Sequence, residues 1–176
     1  MIRVREVEAH ELNQIFDLCR LHADDMGLAG HDDMDDRWAK QQMKKMLINP
    51  YYRTFVAIKD MEWIGYATVC VEEKLWNKKV YGEQILFFVR KDVRKGYEVA
   101  DALMQSCIDY FKQMECVYFQ TSVAMFNKDY SVNDRVVSKA RSYWKNYGME
   151  EVGYTFVMPL DQVEEFFYSP DELEEY

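Results

Sequence analysis

The chain has 176 residues, 49% of them hydrophobic and 15% aromatic, and a formal net charge of −9. That length and apolar content exclude a disordered chain and fit one folded domain with a proper core. The acidic balance argues against nonspecific nucleic-acid binding, and no apolar run approaches the about 20 residues a bilayer-crossing helix needs.

The N-terminus, Met1-Ile2-Arg3-Val4-Arg5-Glu6, lacks the layout of a signal peptide. Cys19, Cys70, Cys107 and Cys116 show no C-x-x-C spacing and sit in apolar patterns. They read as reduced core thiols, so a cytoplasmic protein is expected.

Residues 2–7 predict a short strand, and 10 to about 23 a helix with Leu12, Ile15, Phe16 and Cys19 on one stripe. The segment 24–36 follows, with six aspartates and His31. Its spacing does not fit an EF-hand loop. Solvation, with helix capping by Asp33 or Asp35, is one reading. His10, His22 and His31 are too scattered to form a metal cluster, so no metal site is expected. A second helix is predicted from about 35 to 47, anchored by Trp38, Met43, Met46 and Leu47 and stopped by Asn49-Pro50. Strands are predicted near 54–58 and 63–71 around a turn at 59–62. A loop at 73–80 leads to a strand at 81–89.

The stretch that follows is the most informative. The apolar run ends at Arg90, Lys91, Arg94 and Lys95, passes Gly96, and opens a helix reaching about 114. Leu103, Cys107, Ile108 and Phe111 lie along that helix's apolar side. A strand, a basic turn and a helix start form an anion site. The first helical N–H groups have no internal partner, and the helix dipole adds positive potential there. Such clustered cations in an acidic chain point to a bound phosphate or pyrophosphate.

Beyond it, 117–124 reads as a strand and 125–134 as polar and irregular. A helix is predicted at 136–146, closed by Tyr147 and Gly148, with Gly148 as a left-handed cap. Residues 152–160 read as a last strand. The order predicts an α/β fold, with a mixed sheet of six to seven strands and helices on both faces. The domain is expected over 1–160, with an acidic C-terminal extension at 161–176.

With its basic turn at the centre, this order resembles the GCN5-related N-acetyltransferase (GNAT) superfamily. Those enzymes bind acetyl-CoA through a turn of pattern Q/R-x-x-G-x-G/A. Lys95-Gly96-Tyr97-Glu98-Val99-Ala100 matches that frame, followed by Leu103 where the family usually has leucine. Lys95 and Glu98 depart from it. Ala140-Arg141-Ser142-Tyr143-Trp144-Lys145-Asn146-Tyr147-Gly148-Met149 resembles the family's A-x-x-L-Y-x-x-x-G-F segment, with Trp144 where the family has its tyrosine. The likeness covers about 2–160.

The resemblance implies acetyl-CoA as cosubstrate and direct transfer of the acetyl group to a primary amine, such as a polyamine, a lysine or another small cationic amine. It implies cofactor contacts at Phe88, Val89, Arg94, Lys95, Gly96, Tyr97, Glu98, Val99 and Ala100. An indole is too weak an acid to protonate the departing thiolate, so Tyr143 or Tyr147 takes that role. Glu83, on the strand before the turn, is the candidate base. The acidic segment 24–36 would then border the acceptor site and draw in a cation. The acceptor is a small molecule or a protein amine, and a homodimer is left open. Glu98 and Trp144 also fit a rival, a non-catalytic protein of the same fold that binds CoA or acts as an interaction module. A third reading is a regulatory toxin using the same chemistry on a macromolecule.

Overall fold

The computed structural model describes residues 1–25, 35–73, 78–121, 134–146 and 149. Among them, Arg3–Glu6 (β1), Tyr52–Lys59 (β2), Glu62–Glu73 (β3) and Val80–Val89 (β4) form an antiparallel series, and Phe119–Thr121 (β5) joins β4 in parallel. The helices are Leu12–Asp25 (α1), Asp36–Ile48 (α2), Glu98–Gln113 (α3) and Asp134–Asn146 (α4). The result is a mixed sheet with helices on both faces. The strand expected at 152–160, the extension at 161–176 and most of the acidic segment lie outside the described residues. No described helix is long and apolar enough to cross a membrane.

Strand alternation sorts the core. On one face, Val99, Leu103, Cys107 and Phe111 of α3 pack on Ala57, Ala67, Val69, Val71 and Val89. On the other, Ile15 and Leu18 of α1 and Met43 of α2 cover Val56, Tyr66 and Phe88. A third cluster joins Tyr143 and Trp144 of α4 to Met104 of α3, with Phe87 and Phe119 packed against it. Gly82 permits the close seat of α3, because a Cβ there would lie 2.3 Å from Phe111.

One irregularity positions everything that follows. Thr68 pairs with Leu86, but the next residue, Val69, pairs with Gln84. Ile85 is therefore an extra residue in β4, and the strand's alternation flips across it. Gly82 and Gln84 before the bulge share a face with Phe87 and Val89 after it.

Trp38 is an exception to the expected anchors, at 61% exposed. Five residues separate it from buried Met43, which places it about 140° round the helix from the apolar stripe. The terminus of α2 is set instead by Asp35, whose side chain accepts from the Trp38 N–H at 3.0 Å. Asp35 is one of the two caps expected; the other, Asp33, lies outside the described residues.

Candidate active site

At its far end, one edge of β4 has no partner strand among the described residues. The Arg90 N–H donates to Ile64 O at 2.8 Å. In an antiparallel ladder every second residue bonds the same neighbour. Phe88 thus bonds β3, while the backbone groups of Phe87 and Val89 face the opposite edge. There the described part of β5, which ends at Thr121, pairs up to the Gln84–Thr121 rung. Val89 O accepts from Arg94 Nε. The Phe88 side chain lies on the α1 face, stacked on His22 with centroids 4.8 Å apart. Among the described residues, the edge groups without a partner strand therefore belong to Phe87, which the sequence did not single out, and to Val89.

Residues 94–98 of the turn are exposed. The first helical donor with a described partner is Asp101 N–H, on Tyr97 O at 2.7 Å. The N–H groups of Glu98, Val99 and Ala100 precede it and have no partner among the described residues. A Cβ on Gly96 would meet nothing within 4 Å. Lys95, Gly96, Glu98 and Val99 line one side of a cleft of about 330 Å³.

The turn's cations are largely neutralised by carboxylates. Arg90 is held by Asp92 at 2.8 Å and by Glu62 at 3.1 Å. Lys91 and Arg94 share Asp25 at the end of α1. Lys95 forms no ion pair among the described residues.

The α4 aromatics stand at the start of α3. Tyr143 donates to Asp101 Oδ1 at 3.1 Å and lies 5.2 Å from the Tyr97 ring. Trp144 is 9% exposed and meets Phe87 edge-on at 5.7 Å. Tyr147 lies outside the described residues.

On the opposite sheet face, Glu83 pairs across the ladder with Cys70. The Cys70 Sγ and the Glu72 and Glu83 carboxylates lie within 4.8 Å of one another. Tyr81 donates to Glu72 Oε2 at 2.8 Å. Burial, then the two carboxylates, pushes the Cys70 thiol up to about 12. Burial likewise raises Cys107 to about 12 and Cys19 to about 11. These thiols stay protonated near neutral pH, which disfavours a cysteine nucleophile.

The acidic segment is described only at its ends. Asp36 faces Arg20 at 3.6 Å. Asp24 and Asp25 border a cleft of about 660 Å³ with Leu21, Phe88, Arg90 and Lys91. Nearby, His22 Nδ1 lies 2.9 Å from Tyr66 OH, which also accepts from Cys19 Sγ. The phenol's single proton then goes to His22, keeping the imidazole neutral. Burial first, and Arg94 second, push His22 down to about 4, with Asp25 opposing.

No protein-family model matches the chain, and no curated protein matches it in sequence. Solved structures do match. A predicted acetyltransferase of Clostridium acetobutylicum, with acetyl-CoA, superposes with a TM-score of 0.71 at 14% identity, covering 94% of this chain and 100% of that one. An aminoglycoside acetyltransferase from an uncultured soil metagenomic sample, in complex with sisomicin, gives 0.65 at 14% identity over 90% and 97%. A ribosomal-protein-alanine N-acetyltransferase of Brucella melitensis biovar Abortus gives 0.66 at 11% identity over 90% and 99%.

The chain has the GNAT acetyltransferase fold. Within this GNAT frame, the expected cofactor residues from Arg94 to Ala100 form one continuous turn and helix start, and Val89 adjoins it through Arg94. Tyr143 stands at the start of α3. Glu83 stands apart, on the other side of the sheet. Glu72 is a neighbour of Glu83 that only strand register could reveal.

Proposed function

We propose that the chain is an acetyl-CoA-dependent N-acetyltransferase acting on a cationic primary amine, a polyamine or a lysine side chain among them. The carrying observation is the β4 edge at Phe87 and Val89, without a partner strand among the described residues and joined through Arg94 to the helix start, where the N–H groups of Glu98, Val99 and Ala100 have no described partner. The residues fit the group. The helix start offers backbone donors, Lys95 adds a cation, and the space at Gly96 allows close approach. Acetyl-CoA, when bound, supplies the activated acyl group.

The protein's own share is positioning and proton handling. The N–H groups of Phe87 and Val89 orient an amide arm along the strand edge. The turn from Arg94 to Ala100 holds the phosphates, with the Glu98 side chain turned to solvent. Glu83 takes the proton of the incoming amine, and Glu72 beside it adds negative charge that favours a cation. Tyr143 is committed to Asp101, so the proton for the departing thiolate falls to Tyr147. A strand at 152–160 would bring the sheet to six strands.

A second reading is a CoA-binding protein without turnover. The engaged Tyr143 hydroxyl and the buried Trp144 favour it. Thermal shift with acetyl-CoA, followed by thiol release with a panel of amines, separates the two. The enzyme reading expects stabilisation and thiol release with a polyamine or a lysine peptide. Stabilisation without release supports the binding protein, and no stabilisation defeats both.

A further inference from the structure

One group of side chains away from the basic turn has the make-up of a metal site. β3 places Cys70 and Glu72 two residues apart on one sheet face, and β4 sets Glu83 directly opposite Cys70. Cys70 Sγ and one carboxylate oxygen of each glutamate lie within 4.8 Å of one another. The sulfur is 3.8 Å from Glu72 Oε1. A tetrahedral zinc ion, with Zn–S about 2.3 Å and Zn–O about 2.1 Å, holds such a pair about 3.6 Å apart. Small side-chain shifts therefore close the set around an ion.

Two carboxylates alone would be an ordinary solvated pair. The thiol sets this group apart. Cys70 is 0% exposed, yet it belongs to none of the three apolar clusters. Cys107 and Cys116 pack in the α3 core, and Cys19 packs against the α1 core. The Cys70 sulfur instead turns toward the carboxylates, and its one described hydrogen-bonding contact is the long approach to Glu72. Neither glutamate is in an ion pair among the described residues. A wholly buried sulfur facing two carboxylates without a cation is the reverse of ordinary core packing. A divalent cation satisfies all three groups. Tyr81 donates to Glu72 Oε2 at 2.8 Å, which steadies that carboxylate with Oε1 toward Cys70. Glu72 is exposed and Glu83 half-buried, so an ion reaches the sulfur from solvent.

We propose that Cys70, Glu72 and Glu83 bind a divalent cation of the zinc type, with a fourth position open to water. A thiolate ligand selects zinc or cobalt over magnesium and calcium, which take oxygen ligands. On binding, the Cys70 thiol gives its proton to solvent and the sulfur lone pair goes to the metal. The binding does not depend on acetyl-CoA. Its consequence rests on the acetyltransferase reading above: the ion occupies Glu83, the proposed base, and so zinc inhibits transfer by excluding the amine.

The test titrates the full chain, reduced and freed of metal by a chelator, with zinc chloride by calorimetry and with cobalt chloride by absorption. One zinc per chain is expected, and cobalt should give the near-ultraviolet charge-transfer band of a cobalt–thiolate bond. Cys70→Ser should abolish that band and weaken zinc binding at least about tenfold, while Cys116→Ser changes neither. Glu72→Gln, at an exposed position that leaves the core untouched, should weaken zinc about tenfold with the melting temperature nearly unchanged. Excess magnesium or calcium should not displace the zinc. No zinc binding, a band that survives Cys70→Ser, or zinc affinity unchanged in both the Cys70 and Glu72 variants overturns the site. Bound zinc should raise the acceptor KM and leave acetyl-CoA affinity level. Zinc held at Cys70 without inhibition would keep the metal site and defeat the role given to Glu83.

Discussion

Arg94 and Asp25, 69 residues apart in sequence, tie the basic turn to the end of α1. The same guanidinium donates to Val89 O and lies over the Phe88 ring at 5.4 Å. One side chain thus links the last residues of β4, the turn and the opposite layer. Arg94 serves the turn's shape, which leaves Lys95 as the cation for a bound anion. Lys95→Ala should weaken acetyl-CoA binding about fivefold and flatten its salt dependence, while Lys91→Ala changes it less. Asp25→Asn should cost about 1 kcal/mol of stability, since Asp25 is shielded but Arg94 is part-exposed. Titrations at two ionic strengths and urea melts check both.

Two glycines give opposite expectations. A Cβ on Gly96 has open space, whereas one on Gly82 would collide with the Phe111 ring. Gly96→Val should leave the melting temperature nearly unchanged and weaken acetyl-CoA binding about tenfold, by holding phosphate away from the helix start. Gly82→Ala should destabilise by about 1–3 kcal/mol through overpacking. A Gly96→Val protein that binds acetyl-CoA normally would remove the turn from the cofactor site.

Local patterns made much of this legible. The apolar run, basic turn, glycine and periodic helix were readable because each is a contiguous signal with a backbone consequence. The bulge at Ile85 was not, because Ile85-Leu86-Phe87-Phe88-Val89 is apolar throughout and carries no alternation to break. The edge position of Phe87, which the proposed function uses, was hidden for the same reason. The Arg94–Asp25 pair and the Cys70–Glu72–Glu83 group depend on chain approach and strand register, which no local spacing encodes. Except for Asp92, which holds Arg90 from within the turn, the carboxylate partners of the basic residues, Glu62 and Asp25, lie elsewhere in the sequence, so those residues looked available for phosphate.

His22 and Glu11 set two successive pH windows that overlap slightly above pH 4. Burial lowers the folded His22 pKa from 6.5 to about 4. The unfolded chain then binds more protons between those values. The stability His22 contributes is present above pH 6.5 and is lost as pH falls toward 4. The loss is on the order of 2 kcal/mol, discounted for partial exposure. The paired Arg5 guanidinium holds Glu11 near about 2 instead of 4.5. Its contribution is present above pH 4.5 and disappears only below it, as pH falls toward 2. Urea melts from pH 7 to pH 3 should show both slopes. His22→Gln should remove the first alone, and Glu11→Gln the second alone.

On the proposed reading, Glu83 serves the proton transfer and Glu72 the attraction of the acceptor. Glu83→Gln should lower kcat about 10- to 100-fold by removing the proton acceptor. Glu72→Gln should mainly raise the acceptor KM, because it removes charge without removing the base. Neither should change acetyl-CoA affinity, since both lie on the sheet face away from α3. Raising salt should raise the acceptor KM in the wild type and do so less in Glu72→Gln. A preferred acceptor that is neutral or anionic would contradict this division.

The final prediction separates the two tyrosines. Tyr143 donates a hydrogen bond to Asp101 at the start of α3, and its ring is buried beside Tyr97. Tyr143→Phe should therefore cost about 1 kcal/mol of stability and leave most turnover intact. Tyr147 follows four residues later in sequence, and its phenol is strong enough as an acid to protonate a thiolate, unlike the Trp144 indole. Tyr147→Phe should lower kcat at least about tenfold with little change in acetyl-CoA KM. The wild-type kcat should fall at high pH as the phenol ionises, and that limb should vanish in Tyr147→Phe. Full turnover in Tyr147→Phe would assign the proton to water. Loss of turnover in Tyr143→Phe alone, with the fold intact, would mean that the Asp101 bond breaks during the reaction and that Tyr143 is the acid.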